Sequence, residues 1–92
     1  MIKSFTHKGL KIFFESGNFS KIQSEHRKKV RLILSILNAV IEIKDFNFPG
    51  SGLYQLKGEF KDYWSVSVGG NWRIIFKFID RNVFEVDYLD YH

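Results

Sequence analysis

The chain has 92 residues, 45% of them hydrophobic and 17% aromatic, which suits one compact domain over residues 1–92 and is too little for two. It contains no cysteine, which excludes a disulfide framework and any cysteine-ligated zinc site. The formal net charge of +4 favours a polyanionic partner, either nucleic acid or an acidic protein. There is no signal-peptide core and no stretch near the roughly 20 apolar residues of a membrane span, so we expect a soluble cytoplasmic protein with no membrane partner.

Two helices are predicted in the first half of the chain. The first covers residues 7–15, where apolar side chains recur at the three- and four-residue spacing of one helix face. Ser20 and Gln23 have the spacing of a capping box, which predicts a longer second helix that ends at about Val40. The inward-facing stripe of this second helix is predicted to consist of Ile22, Val30, Ile33, Leu37 and Val40.

Outside the inward stripe, one side of the second helix is predicted to be basic. The side opposite the stripe is predicted to be apolar. The basic side chains that project to one side of the stripe are Arg27, Lys28 and Arg31. His26 faces the stripe, which predicts a structural role. Leu32 and Ile36 lie opposite the stripe, which indicates either a second buried contact or a groove for a partner.

The second half of the chain is predicted to form an antiparallel meander. After residues 49–52, Pro-Gly-Ser-Gly, the composition changes to β-branched and aromatic residues, with short turns at 69–71 and 80–82. The predicted strands cover residues 53–56, 63–68, 72–79 and 83–91. We therefore predict an α+β fold in which two N-terminal helices pack on one face of a small, mainly antiparallel sheet.

Two cations in this half are candidates for binding an anion. Strand alternation points Arg73 away from Trp72 and Ile74, and therefore to the face opposite the aromatic side chains. An ordinary solvated arginine would occupy the same position. Lys57, which precedes Gly58, has in the same way the pattern of an ordinary turn lysine.

The last three residues combine a carboxylate, a phenol and an imidazole in Asp90, Tyr91 and His92. A frayed polar chain end is the commoner role of such a terminus. The functional alternative is that the sheet holds this tail beside Lys57 and Arg73. These groups suffice for RNA cleavage without a metal or cofactor, in which a base takes the 2′-hydroxyl proton, cations stabilise the phosphorane and an acid protonates the departing 5′-oxygen.

Several stretches together resemble the HigB group of RelE-like toxins, and the resemblance covers essentially the whole chain. They are Ile2-Lys-Ser-Phe-Thr-His-Lys-Gly-Leu10, Leu56-Lys-Gly58, Trp64-Ser-Val-Ser-Val-Gly-Gly-Asn-Trp-Arg73 and Asp90-Tyr-His92. The resemblance implies a RelE-like fold and a metal-independent, ribosome-dependent mRNA endonuclease that inhibits translation. It also implies a HigA-like helix-turn-helix antitoxin as partner, with operator DNA contacted only through that antitoxin.

The resemblance assigns roles to the candidate residues. Lys57 and Arg73 would contact the scissile phosphate and stabilise its transition state. Asp90 and His92 would share proton transfer or orientation, and Tyr91 would position a base or stack on it. The basic side chains that would contact ribosomal RNA phosphates are Arg27, Lys28, Lys29 and Arg31, although a solvated helix face explains them equally well.

Tyr54 departs from the family pattern, because related toxins often carry a histidine before the Leu-Lys-Gly motif. A tyrosine can contact the substrate by hydrogen bonding or stacking. Its ordinary pKa of about 10 makes it a poor general base at neutral pH. If the family histidine accepts the proton, that role passes here to Asp90 or His92.

Two other classes of function are compatible with the same fold. One is a non-enzymatic gyrase inhibitor like the ParE-type relatives, against which the acid and base groups at the chain end argue. The other is an RNA-binding module without catalysis, whose aromatic strands would stack on bases. Those aromatic side chains are predicted to lie in the core, which favours the enzyme.

Overall fold

The computed structural model describes residues 1–91 and has two helices on one side of a single four-stranded sheet. Helix α1 covers Lys8–Ser16 and helix α2 covers Arg27–Ala39. The strands are β1 (Tyr54–Gln55), β2 (Trp64–Gly69), β3 (Trp72–Ile79) and β4 (Asn82–Asp90). They lie in the order β1-β2-β3-β4 and every neighbouring pair is antiparallel, which confirms the predicted α+β meander.

A short extended segment before α1 runs beside the outer edge of β4, a feature that the hydrophobic pattern did not predict. Ile2 and Phe5 form isolated parallel bridges with Val83 and Val86. The backbone N–H of Lys3 donates to the carbonyl of Val83 at 2.7 Å. The helices therefore do not begin the fold, and the edge of β4 is partly covered by the start of the chain.

Helix α1 begins and ends with side-chain and backbone caps. The Nδ1 atom of His7 accepts a hydrogen bond from the N–H of Leu10 at 2.9 Å, as an N-cap side chain does. At the other end Gly17 adopts a φ of 79°, and its N–H donates to the carbonyl of Phe13.

In the described part of the chain, no helix is long and apolar enough to cross a membrane.

The predicted start of α2 near Ser20 is wrong, because the helix begins only at Arg27. The side chain of Asn18 accepts the N–H of Ser20 at 3.0 Å, and this local turn competes with helix formation. A 3-10 turn at Ser24–His26 follows, and its N-cap, Gln23, makes no side-chain cap. The predicted inward stripe is nevertheless confirmed, since all its residues are buried, including those that lie outside the helix: Ile22, Val30, Ile33, Leu37 and Val40.

The core lies between the helices and the inner face of the sheet. At its centre lie the fully buried side chains of Phe46 and Phe76, whose ring centroids are 5.3 Å apart. Phe46 ends a 3-10 turn at Ile43–Phe46, in the connection from α2 to the sheet. Ile36 packs against this same core, so the prediction that it lies opposite the core stripe is wrong, whereas Leu32 stays 52% exposed.

His26 is part of a buried polar contact at the edge of the core. Its Nδ1 atom lies 2.6 Å from the hydroxyl of Tyr88, which also accepts the N–H of Gln23 at 3.4 Å. Burial raises the pKa of Tyr88, because a buried phenolate would lose its hydration. The predicted structural role of His26 is confirmed.

Candidate active site

The sheet presents an outer face that the helices do not cover. On β3, Ile74 and Phe76 enter the core, and strand alternation directs Arg73, Ile75 and Lys77 to this outer face. The predicted orientation of Arg73 is therefore confirmed. Its guanidinium is partly buried and lies among groups from β1, β2 and the loop before β1.

Three groups hold the Arg73 guanidinium, and we call them together with Arg73 the Arg73 cluster. The Nη1 atom donates to the hydroxyl of Ser65 at 3.2 Å and to the carbonyl of Gly52 at 3.4 Å. The ring of Tyr54 has its centroid 5.0 Å from the guanidinium carbon, within the range of a cation–π contact. The cluster joins a buried hydroxyl to an aromatic ring that is 43% exposed.

The backbone before β1 brings the Gly52 carbonyl to this position. The N–H of Ser67 on β2 donates to the carbonyl of the buried Ser51 at 2.7 Å, which holds the loop against the sheet. Gly52 has a φ of 56°, and a Cβ atom there would lie 3.3 Å from the Cβ of Ser67. A glycine is required at this position because both the backbone angle and the close approach disfavour a side chain.

The chain end is held to the sheet as far as Tyr91. The N–H of Tyr91 donates to the carbonyl of Asn71 at 2.8 Å, one residue beyond β4. Its ring contacts Phe60, with centroids 6.3 Å apart, and Phe60 also contacts Tyr63 at 5.7 Å. Phe60 belongs to the 3-10 turn at Gly58–Phe60, so the tail and the loop after β1 are joined through aromatic rings.

The two charged candidates Asp90 and Lys57 are placed differently from Arg73. Asp90 is exposed and pairs with Trp72, whose ring contacts Tyr88 on the helix side. Since paired residues of a sheet point to the same face, the register directs Asp90 away from the outer face. Lys57 is exposed and makes no hydrogen bond or ion pair with residues 1–91. His92 lies outside the described residues, so its place beside these groups stays a prediction.

The four basic residues of α2 do not share one side. The guanidinium carbon of Arg27 lies 3.9 Å from the Phe19 ring centroid, and that of Arg31 lies 5.6 Å from the Phe13 ring centroid. Lys28 is exposed. The four do not form one patch, because the Lys29 ammonium reaches the loop carbonyl of Gly50 at 3.1 Å on the other flank of the helix.

A second polar group on the outer face was not anticipated from the sequence. The Lys77 ammonium pairs with Glu85 at 2.9 Å, and the Tyr63 hydroxyl donates to the same carboxylate at 3.2 Å. The hydrogen bond from Lys77 is the main cause that lowers the pKa of Glu85, whereas burial is the main cause that raises the pKa of Tyr63. No sequence pattern indicates this group, because Glu85 lies at an irregularity of β4 and has a φ of 53°.

The Lys77–Glu85 pair predicts a measurable pH dependence. Because the folded-state pKa of Glu85 is lowered, its contribution to stability is present above the ordinary carboxyl pKa and is lost as the pH falls through the folded-state value. The free energy of unfolding of the wild type should fall as the pH is lowered from 6 to 3, and the fall should be smaller in Glu85→Gln. Urea unfolding over this pH range measures both. Glu15→Gln, at an exposed helix position, is the control and should keep the wild-type slope. Equal slopes for all three proteins would contradict the assignment.

Comparisons with known proteins agree over the whole chain. A family model described as RelE-like toxin of type II toxin-antitoxin system HigB matches residues 3–92. Endoribonuclease HigB of Proteus vulgaris is 40% identical over 92 residues, which is 100% of both chains.

Solved structures show the same fold at low sequence identity. The YoeB–YefM heterotetrameric toxin-antitoxin complex of Staphylococcus aureus contains a chain with a TM-score of 0.63 and 15% identity, covering 100% of this chain and 95% of that one. A mutant of YafQ from E. coli has a TM-score of 0.61 and 16% identity, covering 96% and 89%. The meander, the helix pair and the family match over residues 3–92 lead to one assignment: the chain belongs to the HigB family of RelE-like toxins of type II toxin-antitoxin systems.

Proposed function

We propose that this protein is an endoribonuclease that cleaves mRNA on the ribosome, without a metal or cofactor, and so inhibits translation. The observation that carries the proposal is the Arg73 cluster, which holds a guanidinium on the outer face of the sheet. The full-length relative from Proteus vulgaris that is named an endoribonuclease supports the choice of reaction.

Arg73 supplies the charge that this reaction needs. Attack of the 2′-hydroxyl on the scissile phosphate builds negative charge on the phosphorane oxygens, and a pre-positioned cation stabilises that charge. A guanidinium also donates two parallel hydrogen bonds to phosphate oxygens. Lys57, in the loop that Phe60 joins to Tyr91, provides a second cation that can approach from the side of the tail.

Proton transfer is assigned to the chain end. We propose that His92 carries the transfer of the 2′-hydroxyl proton or the protonation of the departing 5′-oxygen. Asp90, which the register directs away from the outer face, is proposed to act by orienting the chain end. Tyr54 and Tyr91 are proposed to stack on bases of the substrate. A base stacked on the exposed ring of Tyr54, whose centroid lies 5.0 Å from the Arg73 guanidinium carbon, would lie beside the phosphate that Arg73 is proposed to bind.

The partners follow from the family and from the charge of α2. We propose a HigA-like helix-turn-helix antitoxin, through which alone the protein reaches operator DNA. Arg27, Lys28 and Arg31 lie towards one side of α2 and are proposed to contact ribosomal RNA phosphates. Lys29, which is hydrogen-bonded to Gly50 on the other flank, is the weakest member of this proposed contact.

Primer extension on an mRNA translated in vitro tests the proposal. Purified protein is expected to create new 5′ ends in the translated region, and none when ribosomes are omitted or when translation is blocked before initiation. EDTA added while free magnesium stays high enough for ribosomes removes trace transition metals, and cleavage is expected to continue unchanged. Intact mRNA at a stoichiometric amount of protein would sink the proposal and direct attention to gyrase, assayed by DNA supercoiling.

A further inference from the structure

Ser65 is a fully buried polar side chain that touches Arg73, a candidate catalytic residue. We propose that Ser65 is a positioning residue, which acts with the Gly52 carbonyl to fix Arg73 so that its Nε–Nη2 edge faces the substrate phosphate. This inference rests on the proposed RNA cleavage and names how its central cation is oriented. The hydroxyl itself does not contact substrate in this arrangement.

The burial of Ser65 is the first step of the inference. A buried hydroxyl must find a hydrogen-bond partner, because it loses its bonds to water. Buried strand positions are therefore usually apolar, and a serine in a strand usually points to solvent. Ser65 has no exposed surface, and its hydroxyl is paired with the Arg73 guanidinium at 3.2 Å. Within residues 1–91 this is the one hydrogen bond of the Ser65 side chain.

Counting the donors of Arg73 gives the second step. A guanidinium has five N–H bonds, two of them on Nη1. Nη1 donates to two acceptors, the Ser65 hydroxyl and the Gly52 carbonyl, as many as it has hydrogens. Nε and Nη2 have no hydrogen-bond partner among residues 1–91, and together they form one edge of the plane. This edge carries the parallel pair of donors that matches two phosphate oxygens.

The third step is the restraint on the plane itself. Two hydrogen bonds at one nitrogen still allow the guanidinium to tilt, but the ring of Tyr54 lies 5.0 Å from its central carbon. Register supports this arrangement, because Tyr54 and Ser65 are direct partners across β1 and β2. The Arg73 guanidinium is therefore held at Nη1 and against one aromatic ring, and these restraints set the direction of its Nε–Nη2 edge. Such pre-orientation favours the transition state without cost at the moment of reaction.

The positioning role predicts a particular kinetic change. Ser65→Ala leaves Arg73 in place but frees its guanidinium, so the single-turnover rate of cleavage should fall about tenfold with little change in KM. Ser67→Ala is the matched control, since Ser67 is on the same strand and the same face and its side chain makes no hydrogen bond within residues 1–91. This control should cleave at the wild-type rate.

A double-mutant cycle connects the effect to Arg73. In the Arg73→Ala background, adding Ser65→Ala should produce no further loss of the single-turnover rate. If the tenfold loss persists there, Ser65 acts independently of Arg73 and the proposal is overturned.

A measurement that needs no activity separates this inference from the proposed function. ¹⁵N relaxation of the Arg73 Nε–H group should show restricted motion in the wild type and in Ser67→Ala, and clearly lower order in Ser65→Ala; amide spectra confirm that each variant is folded. Unchanged order in Ser65→Ala would overturn the positioning role even in an active enzyme. If the wild type cleaves no mRNA while the order falls as expected, the positioning of Arg73 stands and the proposed reaction does not.

Discussion

Arg73→Ala is expected to lower ribosome-dependent mRNA cleavage by about 10²–10³-fold, the loss that typically follows removal of one group that stabilises a developing oxyanion. The physical reason is that no other described cation belongs to the cluster formed by Ser65, Gly52 and Tyr54. Primer extension under single-turnover conditions measures the rate. Arg73→Lys should recover only part of it, because an ammonium keeps the charge but not the planar pair of donors.

Arg81→Ala is the matched control for this experiment. Arg81 is exposed in the turn between β3 and β4, at the end of β3 far from Arg73 and about 20 Å along the strand. Arg81→Ala removes the same positive charge as Arg73→Ala, so any general loss of affinity for RNA affects both variants. An equal loss of cleavage in Arg73→Ala and Arg81→Ala would show that net charge matters and that the Arg73 cluster does not.

Phe76→Ala is expected to reduce the free energy of unfolding by about 3–5 kcal/mol. The Phe76 ring is fully buried, and its removal would leave a cavity beside Phe46, in the middle of the only large core of the described chain. A domain of this size has a total stability of roughly 5–10 kcal/mol, so the variant should be close to unfolding at 37 °C. Urea unfolding followed by circular dichroism measures the loss.

Phe19→Ala provides the comparison for the core substitution. Phe19 is 43% exposed, and the Arg27 guanidinium lies over its ring. Its removal should cost less than about 1 kcal/mol. Similar losses for the two phenylalanines would mean that the core does not depend on the contact between Phe46 and Phe76.

Local patterns in the sequence were sufficient for the strands and for the direction of the main cation. Alternation along residues 72–79 predicted β3 with its observed bounds, and it directed Arg73 to the outer face. These properties depend on neighbours two residues apart, so they can be read from a single segment. The start of α2 also depends on local signals, but there the turn made by Asn18 prevailed over the capping-box spacing of Ser20 and Gln23.

The contacts that complete the site depend on residues far apart in the chain. The Gly52 carbonyl and the Ser65 hydroxyl meet Arg73 only because a loop folds back over β2, and no periodicity encodes that approach. The irregularity near Glu85 likewise changes which side chains of β4 face Lys77. The side of the sheet to which Asp90 points follows from register with Trp72, which is a property of two strands together.

The extended segment before α1 also has a consequence for the order of folding. Ser4 accepts the N–H of Glu85 at 2.8 Å, across 81 positions of sequence, and Ile2 pairs with Val83. Pairing these two segments closes a much longer loop than the hairpins of the meander do, and a longer loop costs more conformational entropy to close. We therefore expect residues 2–5 to dock on β4 late in folding, after the β3–β4 hairpin has formed.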